Sequence, residues 1–423
     1  MTTKQNYKDS IPTLLLVLFC TLSGYFYVST GSDTVEANKS ARGFIVFASL
    51  LLTLFMYLVY SRRGKISKLP FIIIILSLYG TLSSIIHGRP LEPISYLVRL
   101  ISFAILIQIS YEQSIKNSAR WQNLISTYLT LSLTIYILEI VYDQLTSRVL
   151  YLNGAFRHAG SIGSAIGFAT TLAIIALGHL SLWLKNRSTL YLSLSVAGLI
   201  AIFCTATRSI AVLSILFFWA AFLIRYRSGK RLLILLAFPA LLVLAVSLLP
   251  SDTGISERII STTQSNELDN SSEFRILILK TYVNNISLPD LLFGLGLGSF
   301  PTWFEAKTGV ANVAPHFEWL WVCAELGAIT LTIYLLTIIK LITSLFMKEK
   351  TSSHLKFLGL TVLASHQIIF QLANPMYFYQ AYTTFALLMG WYLGQRKYES
   401  ITNKSLNRSD KIGRHVNPTP NRV

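Results

Sequence analysis

The chain has 423 residues, 53% of them apolar and only 13% charged, with a formal charge of +17. Soluble domains carry about 25% charged residues, so this composition excludes an ordinary soluble globule. The positive charge invites a nucleic-acid reading, but the basic residues sit in short segments between long apolar runs and lack interleaved aromatic stacking platforms.

Taken in chain order, the apolar runs predict helices at about 11–28, 43–60, 69–86, 94–110, 121–141, 162–184, 189–205, 207–224, 232–249, 317–341, 356–372 and 378–395. Each is about 17 to 25 residues long, enough for an α-helix to cross a hydrocarbon core of about 30 Å. The runs lack the alternation of a membrane barrel. The expected fold class is therefore all-α, a polytopic bundle of about twelve transmembrane helices. The first run has no small-residue cleavage site and reads as a retained helix. Cys20, Cys204 and Cys323 show no paired spacing and read as small buried hydrophobes.

Basic loops stay on the cytoplasmic side of a membrane. With the N-terminus inside, 25 of the 36 cations fall in cytoplasmic segments, among them Arg62, Arg63, Lys185, Arg187, Arg225 and Lys340. That places both termini in the cytoplasm. The membrane domain spans residues 1–395, and 396–423 form a basic, polar tail expected to be disordered and able to meet anionic headgroups.

One external segment, about 250–316, is long, and loops of that length are usually functional. Within it, Asn270-Ser-Ser-Glu273 has the spacing of a helix N-cap with Glu at the third helical position. Ile276, Leu279, Val283 and Ile286 follow on one side at helical spacing, which predicts an amphipathic helix lying on the outer membrane surface. The stretch Phe293-Gly-Leu-Gly-Leu-Gly298 lacks the strand–turn–helix setting of a dinucleotide fingerprint and reads as a tight loop at that surface.

Ionisable groups within membrane helices are costly and point to function. Arg99, Glu139 and Glu325 fall toward the external ends of their helices, as do Arg157, Arg208 and His316. Each has a plainer reading. Arginines at helix ends reach headgroups, Arg99 with Glu139 suits an ion pair between helices, Glu325 suits a partner within the bundle, and His316 suits the interface. Together, however, several guanidiniums fit a phosphate or pyrophosphate bidentately. A histidine beside them can take a proton from an attacking hydroxyl. That combination suits group transfer from a lipid-linked pyrophosphate. His158, His179, His354, His366 and His415 show no metal-ligand spacing.

The residues resemble the O-antigen ligase family, and more loosely the superfamily that includes O-antigen polymerases. His316 and Gly327 make its H-x10-G pattern, although Phe317 stands where many members have Asn, Ser or Gln. Thr205-Ala-Thr-Arg208-Ser resembles a small-polar-Arg signature at a helix start. Asn153-Gly-Ala-Phe-Arg157-His-Ala-Gly160 resembles an Arg-containing loop, and Arg275 ahead of the Gly-rich stretch resembles the arginine of the long periplasmic loop. The resemblance implies transfer of O-polysaccharide from undecaprenyl diphosphate to a sugar of lipid A–core, on the periplasmic face of a Gram-negative inner membrane. It implies an inverting reaction without nucleotide, metal or other cofactor. On this analogy His316 is the base, Arg157, Arg208 and Arg275 hold the diphosphate, and Arg99, Glu139 and Glu325 support them. The partners implied are that donor, lipid A–core and membrane lipid, with no nucleic acid.

Three alternatives stay open. A polymerase would use the same donor. A transporter or flippase would also have many helices, although such proteins tend to show internal repeats and midplane sites, whereas no repeat is visible and the charges crowd one edge. Glu267 and Asp269 resemble the acidic pair with which other membrane glycosyltransferases hold a divalent metal, or are solvated surface.

Overall fold

The computed structural model describes residues 48, 50–59, 66–89, 93–146, 150–152, 155–158, 165–226, 270–310, 313, 315, 317–346, 352–364, 367 and 379–416. The expected spans 11–28 and 232–249 lie outside them. The described helices are α1 (Leu50–Val59), α2 (Lys68–Ile86), α3 (Ile94–Lys116), α4 (Ser118–Leu145), α5 (Ala165–Asn186), α6 (Thr189–Cys204), α7 (Arg208–Arg225), α8 (Asn270–Asn285), α9 (Leu288–Phe293), α10 (Phe300–Thr308), α11 (Glu318–Phe346), α12 (Ser353–Ala364) and α13 (Tyr379–Val416). Among the described residues, α2 to α5 and α11 are long and apolar enough to cross a membrane, while α1, α6, α7 and α12 are shorter apolar helices. Among the described residues the bundle is helical apart from one short hairpin, β1 (Leu150–Leu152) paired antiparallel with β2 (Ala155–Arg157). An all-α reading missed it, although the intervening Asn153-Gly154 is the dipeptide most favoured in two-residue hairpin turns.

Short connections force neighbouring helices antiparallel. Asn117 alone separates α3 from α4, and two residues separate α5 from α6. The bundle therefore has two ends. At one, Lys185 reaches Gln395, Gln395 donates to Ser118 at 2.7 Å, and Arg396 donates to the Ser344 hydroxyl at 2.6 Å. At the other lie the loops that carry the candidate site. We call these the basic end and the loop end.

Helix α5 is apolar on every side, so it needs cover on every side, and nearly all of it is buried. Helix α13 packs on α3 where Gly390 and Gly394 face Ile107, Tyr111, Ser110 and Ser114 so closely that a Cβ at either position would collide. Small residues four apart let two backbones approach in this way. Helix α13 then continues to Val416, through the segment that composition assigned to a disordered tail. A helix already nucleated in the bundle adds residues without a new nucleation cost. Its 38 residues span roughly 57 Å at 1.5 Å each, more than a hydrocarbon core is thick.

Candidate functional site

Helix α11 is broken near its start. Gly327 has φ 85° and ψ 160°, outside helical geometry, and a left-handed φ of this kind is open to glycine at little cost. The break frees carbonyls in the turn before it. Two are taken by the Gly-rich stretch: Leu295 N–H donates to Ala324 O at 2.8 Å and Gly296 N–H to Glu325 O at 3.0 Å. Leu297 N–H donates to Gly80 O of α2 at 3.0 Å, so the loop is threaded between two helices. A Cβ on Gly327 would meet Leu292 O, and one on Gly294 would meet Glu325 O at 2.5 Å and Gly327 N at 2.6 Å.

The stretch Gly294–Phe300 is therefore buried, not the surface loop expected. Glu325, fully buried, completes this knot: its carboxylate accepts from Gly298 N–H at 2.8 Å and Phe300 N–H at 3.4 Å. Ser83 and Tyr79 of α2 add side-chain bonds to the carbonyls of Gly294 and Phe293. Just beyond α2, Arg89 donates to Ser299 O at 3.1 Å and His87 lies 3.4 Å from Asp290.

The break also folds the first segment of α11 back. Sixteen residues of straight helix would separate Glu318 from Tyr334 by roughly 24 Å, yet the Tyr334 hydroxyl donates to the Glu318 carboxylate. Gln367 donates to Tyr334 at 2.7 Å and accepts from the Trp319 indole at 3.1 Å. Arg99 and Glu318 both lie within electrostatic reach of Tyr382 in α13, and the Arg99 guanidinium stands 6.0 Å from the Tyr96 ring. Reading the sequence missed Glu318, Tyr334, Gln367 and Tyr382, because a straight helix would have kept them apart. The available signal was Glu318 itself, a carboxylate opening an apolar run.

Helix α8 forms where the cap spacing predicted it, but its buried stripe differs from the expected one. Ile278 and Tyr282 are buried against Phe300, Trp303 and Phe304 of α10 and against Leu320 and Ala324 of α11. Ile276, Leu279 and Val283 are left exposed, while Ile286 packs into the cluster. Both sides of the helix are apolar, so periodicity could not choose between them. Arg275 is half-buried and lies on the inward stripe, three and seven residues before Ile278 and Tyr282. Tyr282 donates to Cys323 at 3.7 Å, and burial pushes its phenol well above the usual range. Cys204 and Cys323 are both free thiols; Cys204 is exposed, contrary to expectation, and Cys323 is half-buried.

Arg157 closes β2 and Arg208 opens α7; their side chains lie outside the described residues. The backbones around them meet in one corner. His158 N–H donates to Cys204 O at 3.4 Å, and the Thr207 hydroxyl donates to Ala165 O at 3.4 Å. Between Cys204 and Arg208, Ala206 takes a left-handed φ of 51°, a strain of about 1–3 kcal/mol of the kind found at functional sites. His158 is buried, 4.0 Å from Asp143 of α4. Burial lowers its pKa, and Asp143 partly offsets that. Glu139 is buried two turns into the same end of α4. His316, Glu267 and Asp269 lie outside the described residues, but Glu318, two residues after His316, anchors the folded-back segment.

No curated protein and no solved structure matches the chain. A match does come from a family model described as O-antigen ligase, over residues 193–335. That stretch contains Arg208, Arg275, the knot, His316 and Gly327. With its long apolar helices, this is a membrane protein whose residues 193–335 match the O-antigen ligase family, within the ligase and polymerase superfamily.

Proposed function

We propose that the protein is an O-antigen ligase, moving O-polysaccharide from undecaprenyl diphosphate to a sugar hydroxyl of lipid A–core. The loop end then faces the periplasm of a Gram-negative inner membrane, and the basic end, with both termini, faces the cytoplasm. The orientation rests on Lys185, Arg396 and the other cations gathered opposite the loops.

The observation that carries this reading is the family match, because its span includes three of the four residues given chemical roles. The fold supports it by laying the strand that ends in Arg157 against the turn that opens at Arg208. It also turns the Arg275 stripe of α8 toward the α11 segment that follows His316. In the reaction, His316 accepts the proton of the acceptor hydroxyl as its oxygen bonds to the anomeric carbon. The bond from that carbon to the diphosphate oxygen breaks on the opposite face, so the anomeric configuration inverts. Undecaprenyl diphosphate leaves with the electron pair, and the charge growing on it is held by Arg157, Arg208 and Arg275. Glu325 is given a supporting role as the clamp of the knot, and Arg99 one through its charge on Tyr382.

Replacing His316 by Ala tests this in cells. The expected result is loss of smooth lipopolysaccharide, with long polymer accumulating on its lipid carrier and the variant still present in the membrane. Normal polysaccharide ladders from that variant would remove His316 from the mechanism. Core carrying single repeat units would instead identify a polymerase.

A further inference from the structure

Helices α8 and α9 each turn one side into the protein and leave another uncovered. On α8 the inward stripe of Ile278 and Tyr282 packs on α10 and α11, while Ile276, Leu279 and Val283 are exposed opposite it at helical spacing. On α9, Asp290 turns to His87, while Leu288, Leu292 and Phe293 are exposed. Val283, Leu288 and Phe293 are 63%, 68% and 54% exposed, so the fold leaves more than half of each open. Ile286 and Ser287 alone join the two helices, so the exposed residues make one patch. Apolar patches of this kind mark contact surfaces.

The contacts of α9 point to what covers that patch. Asp290 meets His87, just past the loop end of α2, whereas the Phe293 carbonyl accepts from the Tyr79 hydroxyl at 2.6 Å. Eight residues of α2 separate those contacts, roughly 12 Å along its axis. Helix α9 therefore descends about two turns along a helix long and apolar enough to span a membrane. Tyr79 stands four residues from Ile75 and three from Leu82, on the side where Ile75, Leu82 and Ile86 are exposed. On the other flank, Gly327 abuts Leu292 and Phe293, and the α11 segment that leaves it exposes Ile329, Ile333 and Leu336. The apolar surfaces that two spanning helices turn outward thus continue across α9 to α8. Lipid is the solvent of such a surface, since water solvates it poorly. Lys280 lies on the outward side of α8, and its exposed stem can carry the ammonium to headgroup phosphates.

We propose that α8 and α9 are seated in the lipid leaflet at the loop end. Phospholipid acyl chains cover Leu288, Leu292 and Phe293, and α8 lies in the headgroup boundary on Ile276, Leu279 and Val283. The pair is a wedge that ties the buried knot to the bilayer surface and sets the height of Arg275, which lies on the inward stripe of α8. The assignment depends neither on the reaction proposed above nor on which leaflet the loop end meets. Its test places an environment-sensitive fluorescent residue, dansylalanine, at Val283, Phe293 or Glu305 of the full chain in liposomes. Glu305, exposed on α10, is the reference in water. Bromine on the phospholipid acyl chains should quench emission at Val283 and, more strongly, at Phe293, leaving Glu305 unchanged. Iodide in the buffer should quench Glu305 alone. Iodide quenching at Val283 or Phe293 would overturn the assignment. So would emission there quenched by neither reagent, which would identify a protein cover such as a second copy of this chain. Because a bulky residue can disturb folding, the unsubstituted protein is also irradiated in liposomes whose phospholipid carries a diazirine on an acyl chain. Label is expected within residues 276–293; label confined to the spanning helices would overturn the proposal.

Discussion

The loop end is built in two manners. The knot of residues 294–300 is buried, crossed by backbone bonds of 2.8 to 3.0 Å to two helices, and closed by a carboxylate. The corner that joins Arg157 to Arg208 is held by two bonds of 3.4 Å and contains a non-glycine residue with left-handed φ. The knot satisfies what the break in α11 exposes; the corner leaves geometry in reserve beside two arginines. On the proposed function, the knot is the frame and the corner carries the chemistry.

Substitutions in the two regions should therefore fail differently. The largest effect belongs to Gly327→Val, which adds a side chain at positive φ against Leu292 and Phe293. Strain and overpacking together cost about 4 kcal/mol, a large fraction of a stability margin of about 5–15 kcal/mol. Size-exclusion of the detergent-extracted protein should show little monodisperse material; a normal profile would mean that the knot is not the frame. Glu325→Ala comes next. It leaves the amides of Gly298 and Phe300 without their acceptor, at a cost of about 3 kcal/mol. A clear fall in Tm is expected, with turnover per folded molecule falling less.

The corner should reverse that pattern. Arg208→Lys keeps the charge but loses the planar fork, so transfer should fall about a hundredfold with Tm unchanged. A drop in Tm with normal turnover would make the corner structural. The smallest effect is a pH dependence. His158 is held neutral by burial, so its folded pKa lies below its unfolded value of about 6.5. As pH falls below that value, the unfolded chain gains a proton that the fold resists, and stability declines until the lower folded pKa is passed. Thermal melts from pH 7.5 to 5 should show a shallower decline in His158→Gln than in the unsubstituted protein. Identical slopes would free His158 of this role.

These contrasts also mark what the sequence made legible. Continuous apolar runs located α2, α3 and α5 within a few residues at their loop ends, because chain length and burial in lipid leave a helix few choices. The pattern from His316 to Gly327 was visible as spacing, yet its physical content, a broken helix whose carbonyls are taken up by a distant Gly-rich loop, was not. That pairing joins residues about thirty apart through backbone atoms, which carry no side-chain signature. The cluster of Glu318, Tyr334 and Gln367 was hidden for the same reason, since only the fold-back at Gly327 brings them together. On α8 the cap was readable, but the choice between two apolar faces depended on what α10 and α11 offered.

Transfer in reconstituted liposomes tests the central claim most directly. Purified protein is mixed with labelled polysaccharide on undecaprenyl diphosphate and with unlabelled lipid A–core, in the absence of nucleotide or gradient. The account predicts that label moves to the core glycolipid, and that Arg208→Ala and Arg275→Ala each abolish the movement. Label that stays on the carrier and only lengthens there, or that reaches the core equally well with either arginine removed, would contradict it.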